Sequence, residues 1–146
     1  MEVETILFVI AAAALLRLAT VVTMSTGAGA SSSLAEPGLD VIGDVHGQAG
    51  KLERLLARMG YRERAGSWSH PTRRAVFVGD LVDGQGDRQL DTVRIARAMV
   101  DSGAALIVAG NHEFNAVAWH LGEREHSDKN RRQHGRFLAE VAEGSA

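Results

Sequence analysis

The sequence predicts an α/β domain in which largely parallel strands alternate with helices in the order βαβαβα. After Pro37, three short apolar runs each end in a polar segment that contains glycine. Between these runs, apolar residues recur at spacings of three and four, which is typical of amphipathic helices. Parallel strands bring their carboxyl ends to one edge of a sheet, so we expect the three polar segments to meet there.

The N-terminal 36 residues differ in composition from the rest of the chain. Residues 5–24 are mostly apolar and long enough to cross a bilayer as a helix, but two glutamates precede them, whereas membrane signals usually begin with positive charge. Three interpretations stay open: a membrane anchor, a cleaved signal peptide, or upstream sequence before a true start at Met24, which would leave the protein in the cytoplasm. A Gly/Ala/Ser linker then leads to the folded domain, residues 37–146.

The first predicted unit contains a strand and a helix. The strand, predicted to be buried, carries Leu39, Val41 and Ile42 and leads into loop 43–47. The helix has apolar residues at helical spacing and ends at Gly60: these residues are Leu52, Leu55, Leu56 and Met59. The polar segment 61–72 is either a loop or a small edge hairpin.

The next two units repeat this plan. Strand 75–78 leads into loop 79–84, and the following helix presents Leu90, Val93, Ala96 and Val100 on one face. Strand 105–108 leads into loop 110–113, which precedes a helix through Phe114, Val117 and Ala118. A charged loop then enters a last helix, whose predicted apolar side consists of Phe137, Leu138 and Val141.

Composition excludes several classes of function. The chain has no cysteine, which rules out a disulfide scaffold, a thiolate zinc site and a cysteine nucleophile. A formal net charge of -2 disfavours general nucleic-acid binding, which requires a basic surface. Any metal ion must therefore be held by oxygen ligands or histidine.

Each of the three loops offers such ligands beside a glycine. They are Asp44 and His46, then Asp80 and Asp83, then Asn111 and His112. One such group alone is more often a turn or a helix cap, but recurrence after three successive strands favours a metal site. Oxygen and imidazole donors suit divalent Mn, Fe or Zn, and two such ions can activate water for attack on a phosphoryl group.

The three motifs together resemble the calcineurin-like metallophosphoesterases. GDVHG at 43–47, GDLVD at 79–83 and GNHE at 110–113 are most similar to the branch that contains Ser/Thr protein phosphatases, symmetrical diadenosine tetraphosphatases and the phosphatase part of polynucleotide kinase-phosphatase. The resemblance implies the N-terminal half of an α/β/β/α double-sheet sandwich and a phosphatase that uses hydroxide activated by two divalent metal ions. The implied substrates are a phosphoprotein, a dinucleoside polyphosphate or a nucleic-acid end.

The resemblance also implies a role for each motif residue. Asp44 and His46 would hold the first metal ion, Asp80 would bridge both ions, and Asn111 would bind the second. His112 would be the general acid that protonates the leaving group, with Asp83 orienting it. Glu113 is interpreted as supporting structure.

The sequence departs from the family pattern in two places. The family's second motif continues as Val-Asp-Arg-Gly, but Gly84 follows Asp83 here, so Arg88 is either a displaced phosphate-binding residue or a solvated residue of the next helix. Family members complete the second metal site with two later histidines. Only three histidines follow His112, namely His120, His126 and His134, and we expect all three on the surface.

These departures predict that the chain is the N-terminal part of a metallophosphoesterase domain, with one face of its sheet uncovered. The alternative function is a catalytically inactive fragment, or an interaction module that binds a metal ion or a nucleotide.

Overall fold

The computed structural model describes residues 37–143 of the 146-residue chain. No helix within residues 37–143 is long and apolar enough to span a membrane. The predictions for residues 5–24, including the membrane anchor and the start at Met24, lie outside the described residues. They stay predictions, as does the domain boundary at residue 37.

Strands and helices alternate along the described chain, with one additional hairpin. The elements are β1 (Gly38–Ile42), α1 (Ala49–Arg58), β2 (Arg62–Arg64), β3 (Ser67–Ser69), β4 (Arg73–Phe77), α2 (Gln89–Asp101), β5 (Ala105–Ile107), α3 (Asn111–His120) and α4 (Asp128–Glu143).

The main sheet has three strands in the order β1-β4-β5, and both neighbouring pairs are parallel. Val41 of β1 lies opposite Val76 of β4, which in turn lies opposite Leu106 of β5. The predicted βαβαβα order is therefore confirmed. All three strands end at the same edge of the sheet, where the three motif loops begin.

The sequence allowed either a loop or a small edge hairpin for segment 61–72, and the structure has a hairpin there. Strands β2 and β3 pair antiparallel, and both residues of their turn have positive φ, 49° at Ala65 and 80° at Gly66. The hydroxyl of Ser67 donates a hydrogen bond of 3.1 Å to the carbonyl of Ala98, which ties the hairpin to α2.

The hydrophobic core lies on one side of the sheet. Ala75 and Phe77 of β4 are completely buried and pack with apolar residues of α1, α2 and α4. The predicted apolar face of α2 is confirmed, because Leu90, Val93, Ala96 and Val100 are all buried. Of the face predicted for α1, Leu52 and Leu56 are buried, whereas Leu55 is exposed.

The prediction that Leu39, Val41 and Ile42 form a buried strand is correct only for Ile42. Ile42 is buried, but Leu39 is 61% and Val41 69% exposed. Side chains alternate between the two faces of a strand, so Leu39 and Val41 project from the side opposite the helices. Leu106 and Val108 are also exposed, which confirms the prediction that one face of the sheet is uncovered in the described structure.

Helix α3 begins earlier than predicted, because the third motif forms its first turn. Gly110 is the N-cap residue and Asn111 the first helical residue. The carboxylate of Glu113 accepts a hydrogen bond of 2.8 Å from the backbone N–H of Gly110, which satisfies a donor that the start of a helix leaves free. Phe114 is exposed rather than packed.

Helix α4 packs against α2 and confirms most of its predicted apolar side. Phe137 and Val141 are buried, and Leu138 is half-buried. Glu140 of α4 accepts hydrogen bonds from the backbone N–H groups of Gln89 and Leu90, at 2.7 and 2.9 Å. A carboxylate from one helix thus caps the N-terminus of the other, where negative charge is favoured.

Candidate active site

The first and second motif loops lie side by side at the carboxyl edge of the sheet. The backbone N–H groups of Val45 and His46 both donate to the carbonyl of Asp80, each at 3.0 Å, and Gly47 donates to the carbonyl of Leu81 at 2.8 Å. Backbone hydrogen bonds therefore fix the distance between the two motifs independently of their side chains.

Glu113 joins the third motif to the second. Its buried carboxylate accepts hydrogen bonds from the backbone N–H groups of Asp80, Leu81 and Val82, at 2.8, 2.8 and 3.2 Å, besides the bond from Gly110. Four N–H donors compensate the cost of burying this charge. The structure thus agrees with the supporting role expected for Glu113.

Two glycines allow these loops to approach closely. A Cβ atom on Gly79 would lie 2.2 Å from the backbone nitrogen of Gly110, and Gly79 has a φ of +94°. A Cβ atom on Gly110 would lie 2.2 Å from Oδ1 of Asp80. The space available requires glycine at both positions, and the positive φ favours it at Gly79 as well.

Three of the predicted site residues adopt the left-handed backbone conformation. The φ angles are 50° at His46, 52° at Asp80 and 66° at Asp83. Residues other than glycine rarely adopt such angles, and they cluster at functional sites where the surrounding structure holds them. Here the hydrogen bonds between the motifs hold the left-handed backbone in place.

His46, Asp80 and His112 form a cluster that could hold a metal ion. One ligand atom from each lies within 4.8 Å of the others, and all three residues are half-buried. The Nδ1 atom of His46 is 3.0 Å from the carbonyl oxygen of Val82, so the N–H is placed on Nδ1 and the lone pair on Nε2. Nε2 of His46 is 3.7 Å from Oδ2 of Asp44.

The remaining predicted ligands lie next to this cluster. Oδ1 of Asp80 accepts a hydrogen bond of 3.0 Å from the backbone N–H of His112. Asn111 is the exposed first residue of α3 and directly precedes His112. Carboxylate, amide oxygen and imidazole are the donors that divalent Mn, Fe and Zn accept, so the residues present fit such an ion.

His112 also contacts Asp83, as predicted. Nδ1 of His112 lies 3.0 Å from Oδ2 of Asp83, whose side chain is completely buried. The ring of His112 packs edge-on against that of His46, with centroids 4.7 Å apart. Because Nδ1 faces the carboxylate, Nε2 of His112 is the nitrogen available to a substrate.

The prediction that His134 lies on the surface is wrong. His134 is completely buried, and its Nδ1 lies 2.6 Å from Oδ2 of Asp83, the same oxygen that His112 contacts. Burial lowers the pKa of His134, although the nearby Asp83 carboxylate opposes this shift. The helical spacing of His134 with Phe137 and Val141 could have placed it on the buried face of α4. His120 and His126 are exposed, as predicted.

Arg88 lies at the N-cap of α2 and contacts two carboxylates. Its guanidinium donates to Glu53 at 3.0 and 3.3 Å and to Asp91 at 2.8 Å. Hydrogen bonds from Arg88 lower the pKa of Asp91. Binding a substrate phosphate would require competition with these carboxylates, so the phosphate-binding role of Arg88 stays a prediction.

Several known proteins are similar to this chain. An asymmetrical bis(5'-nucleosyl)-tetraphosphatase of Halalkalibacterium halodurans is 43% identical over 86 residues, which cover 58% of this chain and 35% of that protein. A symmetrical bis(5'-nucleosyl)-tetraphosphatase of Hamiltonella defensa is 35% identical over 91 residues, or 61% of this chain and 29% of that protein. The chain therefore spans about a third of the length of these relatives.

One solved structure and one family model also match. A protein serine/threonine phosphatase of Saccharomyces cerevisiae aligns over 75% of this chain and 32% of its own, with a TM-score of 0.48 and 19% identity. The model of the calcineurin-like phosphoesterase family matches residues 39–142, a range that contains all three motifs and all but the last residue of helix α4. By this match the chain is a member of the calcineurin-like phosphoesterase family.

Proposed function

We propose that this protein is a metal-dependent phosphoesterase that hydrolyses nucleotide polyphosphates. The observation that carries the proposal is that the His112–Asp83 pair lies beside the metal-binding donors of His46 and Asp80. His112 is oriented by a buried carboxylate next to these donors, so proton transfer and phosphate binding would occur at the same place.

In this proposal Asp44, His46, Asp80 and Asn111 hold two divalent ions, and Asp80 contributes to both. Bound divalent ions supply water activation and charge neutralisation at the phosphoryl group. The left-handed backbone at His46 and Asp80 and the hydrogen bond from the backbone N–H of His112 to Asp80 fix these donors in advance. Asp44 and Asn111 are exposed, so an incoming phosphate could reach them from solvent.

His112 is proposed as the general acid. Its Nδ1–H donates to Asp83, so a proton on Nε2 can pass to the leaving oxygen, and the carboxylate stabilises the positive charge of the doubly protonated ring. Proton transfer of this kind contributes about 10²- to 10⁴-fold to the rate of a reaction.

The substrate class rests on the two relatives described above, both of which are named as bis(5'-nucleosyl)-tetraphosphatases. Activity with manganese should be measured on a simple aryl phosphate and on a bis(5'-nucleosyl) tetraphosphate, with products separated by chromatography. Two nucleoside diphosphates would indicate symmetrical cleavage, whereas a monophosphate and a triphosphate would indicate asymmetrical cleavage.

The decisive comparison is His112→Ala against His126→Ala, because His126 is exposed and outside the site. We expect His112→Ala to lower turnover by at least about 100-fold and His126→Ala to leave it unchanged. A folded chain that binds manganese but turns over neither substrate would instead favour the alternative, a module that binds a metal ion or a nucleotide.

A further inference from the structure

The buried side chain of His134 contacts the carboxylate that orients His112. The Nδ1 atoms of His134 and His112 lie 2.6 and 3.0 Å from the same oxygen, Oδ2 of Asp83. His134 belongs to α4 and is 51 residues from Asp83, so this contact exists only because α4 packs over the second motif loop. Both side chains are completely buried, and buried polar groups are normally hydrogen-bonded, so this contact is part of the packed interior of the fold.

The surroundings indicate which nitrogen of His134 carries the proton. Nε2 of His134 has no hydrogen-bond partner among the described residues, and a buried N–H without an acceptor is rare in proteins. The proton therefore belongs on Nδ1, which donates to Asp83. Burial lowers the pKa of His134, which favours the neutral ring. Asp83 thus accepts two N–H groups on one oxygen, one from each histidine.

We infer that His134 is a positioning residue, which holds the Asp83 carboxylate in the orientation that aligns His112. The carboxylate of Asp83 can rotate about its side-chain bonds, and a second donor on Oδ2 restricts that rotation. Glu140 adds a second anchor from the same helix, because it caps α2 just beyond the loop that carries Asp83. Helix α4 therefore supports the proposed general acid, His112, through Asp83. This inference rests on the proposed function for its effect on catalysis, but the contact itself can be tested without activity.

The contact is tested by nitrogen NMR of the histidine rings in the unmodified chain at pH 7.5. We expect a proton on Nδ1 of both His134 and His112, with slow exchange of the Nδ1 proton and no proton on Nε2 for His134. In Asp83→Asn, the ring signals of both histidines should shift. Finding His134 as the Nε2–H form, or His134 signals that do not respond to Asp83→Asn, would overturn the inference even if the chain had no phosphatase activity.

The effect on catalysis is tested with His134→Leu, which keeps a buried side chain but removes the donor. We expect about a 10-fold loss of kcat on an aryl phosphate with manganese, little change in KM, and shifted ring signals of His112. His134→Asn places an amide N–H close to the position of Nδ1 and should restore most of the kcat.

The matched control is Phe137→Leu, which disturbs the buried face of the same helix without contacting Asp83. It should leave kcat and the His112 signals near those of the unmodified chain. In the Asp83→Asn background, adding His134→Leu should cause no further loss, because both changes break the same contact. Equal effects of His134→Leu and Phe137→Leu, or fully additive losses with Asp83→Asn, would mean that His134 acts only through packing.

Discussion

The carboxylate of Glu113 lies 2.8 Å from the backbone nitrogen of Asp80, although 33 residues separate the two along the chain. The first turn of α3 thereby holds the loop that carries the proposed bridging ligand. The same carboxylate accepts the N–H groups of the next two residues and of Gly110. The third motif thus contributes its glutamate to structure and its histidine to the site.

Replacing Glu113 should destabilise the fold more than it changes the chemistry. Glu113→Ala leaves four backbone N–H groups without their acceptor, and each unsatisfied buried donor costs about 1 kcal/mol or more. We expect the free energy of unfolding in urea to fall by at least about 3 kcal/mol. The exposed Glu123→Ala should change it by less than about 0.5 kcal/mol. Similar values for the two variants would contradict the proposed role of Glu113.

The approach of the second and third motifs should depend on Gly79. Gly79→Ala places a methyl group against the backbone of Gly110 and imposes a left-handed φ on alanine, so we expect a loss of stability of at least about 2 kcal/mol. Gly135→Ala is the matched control, since a Cβ atom there meets nothing within 4 Å. Gly135 lies inside α4, where alanine should stabilise the helix by about 0.5–1 kcal/mol. Thermal unfolding of both variants would reveal opposite changes, and a Gly79→Ala variant as stable as the original chain would refute this account.

Metal binding should depend more on Asp80 than on Asp44. Asparagine tolerates the left-handed backbone at residue 80 and can still accept the N–H of His112, so Asp80→Asn removes charge with little other disturbance. Because Asp80 is proposed to contact both ions, Asp80→Asn should lose both, whereas Asp44→Asn should lose the first ion alone. Elemental analysis after dialysis against manganese measures this difference. Equal manganese content in the two variants would count against Asp80 as the bridge.

The sequence was sufficient to predict the order of the elements, because alternation of apolar runs and helical spacing are local properties. The face of α2 formed by Leu90, Val93 and Ala96 was predicted correctly for this reason. The composition of a strand does not reveal whether both of its sides are covered, so Leu39 and Val41 were wrongly expected to be buried. Their exposure depends on which elements pack against β1, a property of the whole fold.

The motif residues of the site were also predictable, but the residues that support them were less so. Asp83 and His112 follow from short motifs at strand ends. The contact of His134 with Asp83 joins positions 51 residues apart, in a stretch whose polar composition suggested a solvated surface. Only the spacing of His134 with Phe137 and Val141 indicated its burial. Arg88 illustrates the same limit, since its partner Glu53 lies on a different helix.

The burial of His134 should make the protein less stable in weak acid. Burial lowers the pKa of His134 in the folded state, whereas in the unfolded chain it stays near 6.5. As pH falls below about 6.5, the unfolded chain therefore binds a proton that the folded protein excludes, and stability decreases by at most about 1.4 kcal/mol per pH unit for this group. Above about pH 7.5 both states are neutral at this position, so the contribution no longer changes.

The charges that face His134 determine how strong this effect is. Asp83 favours the protonated ring, while Arg124 and His112 reinforce the effect of burial. Urea unfolding of the original chain and of His134→Asn between pH 5.5 and 8 separates His134 from the other titrating groups, because asparagine does not titrate. The stability advantage of the original chain over His134→Asn should be constant above pH 7.5 and shrink as pH falls. An advantage that grows toward pH 5.5 would mean that Asp83 dominates and that His134 is protonated in the fold.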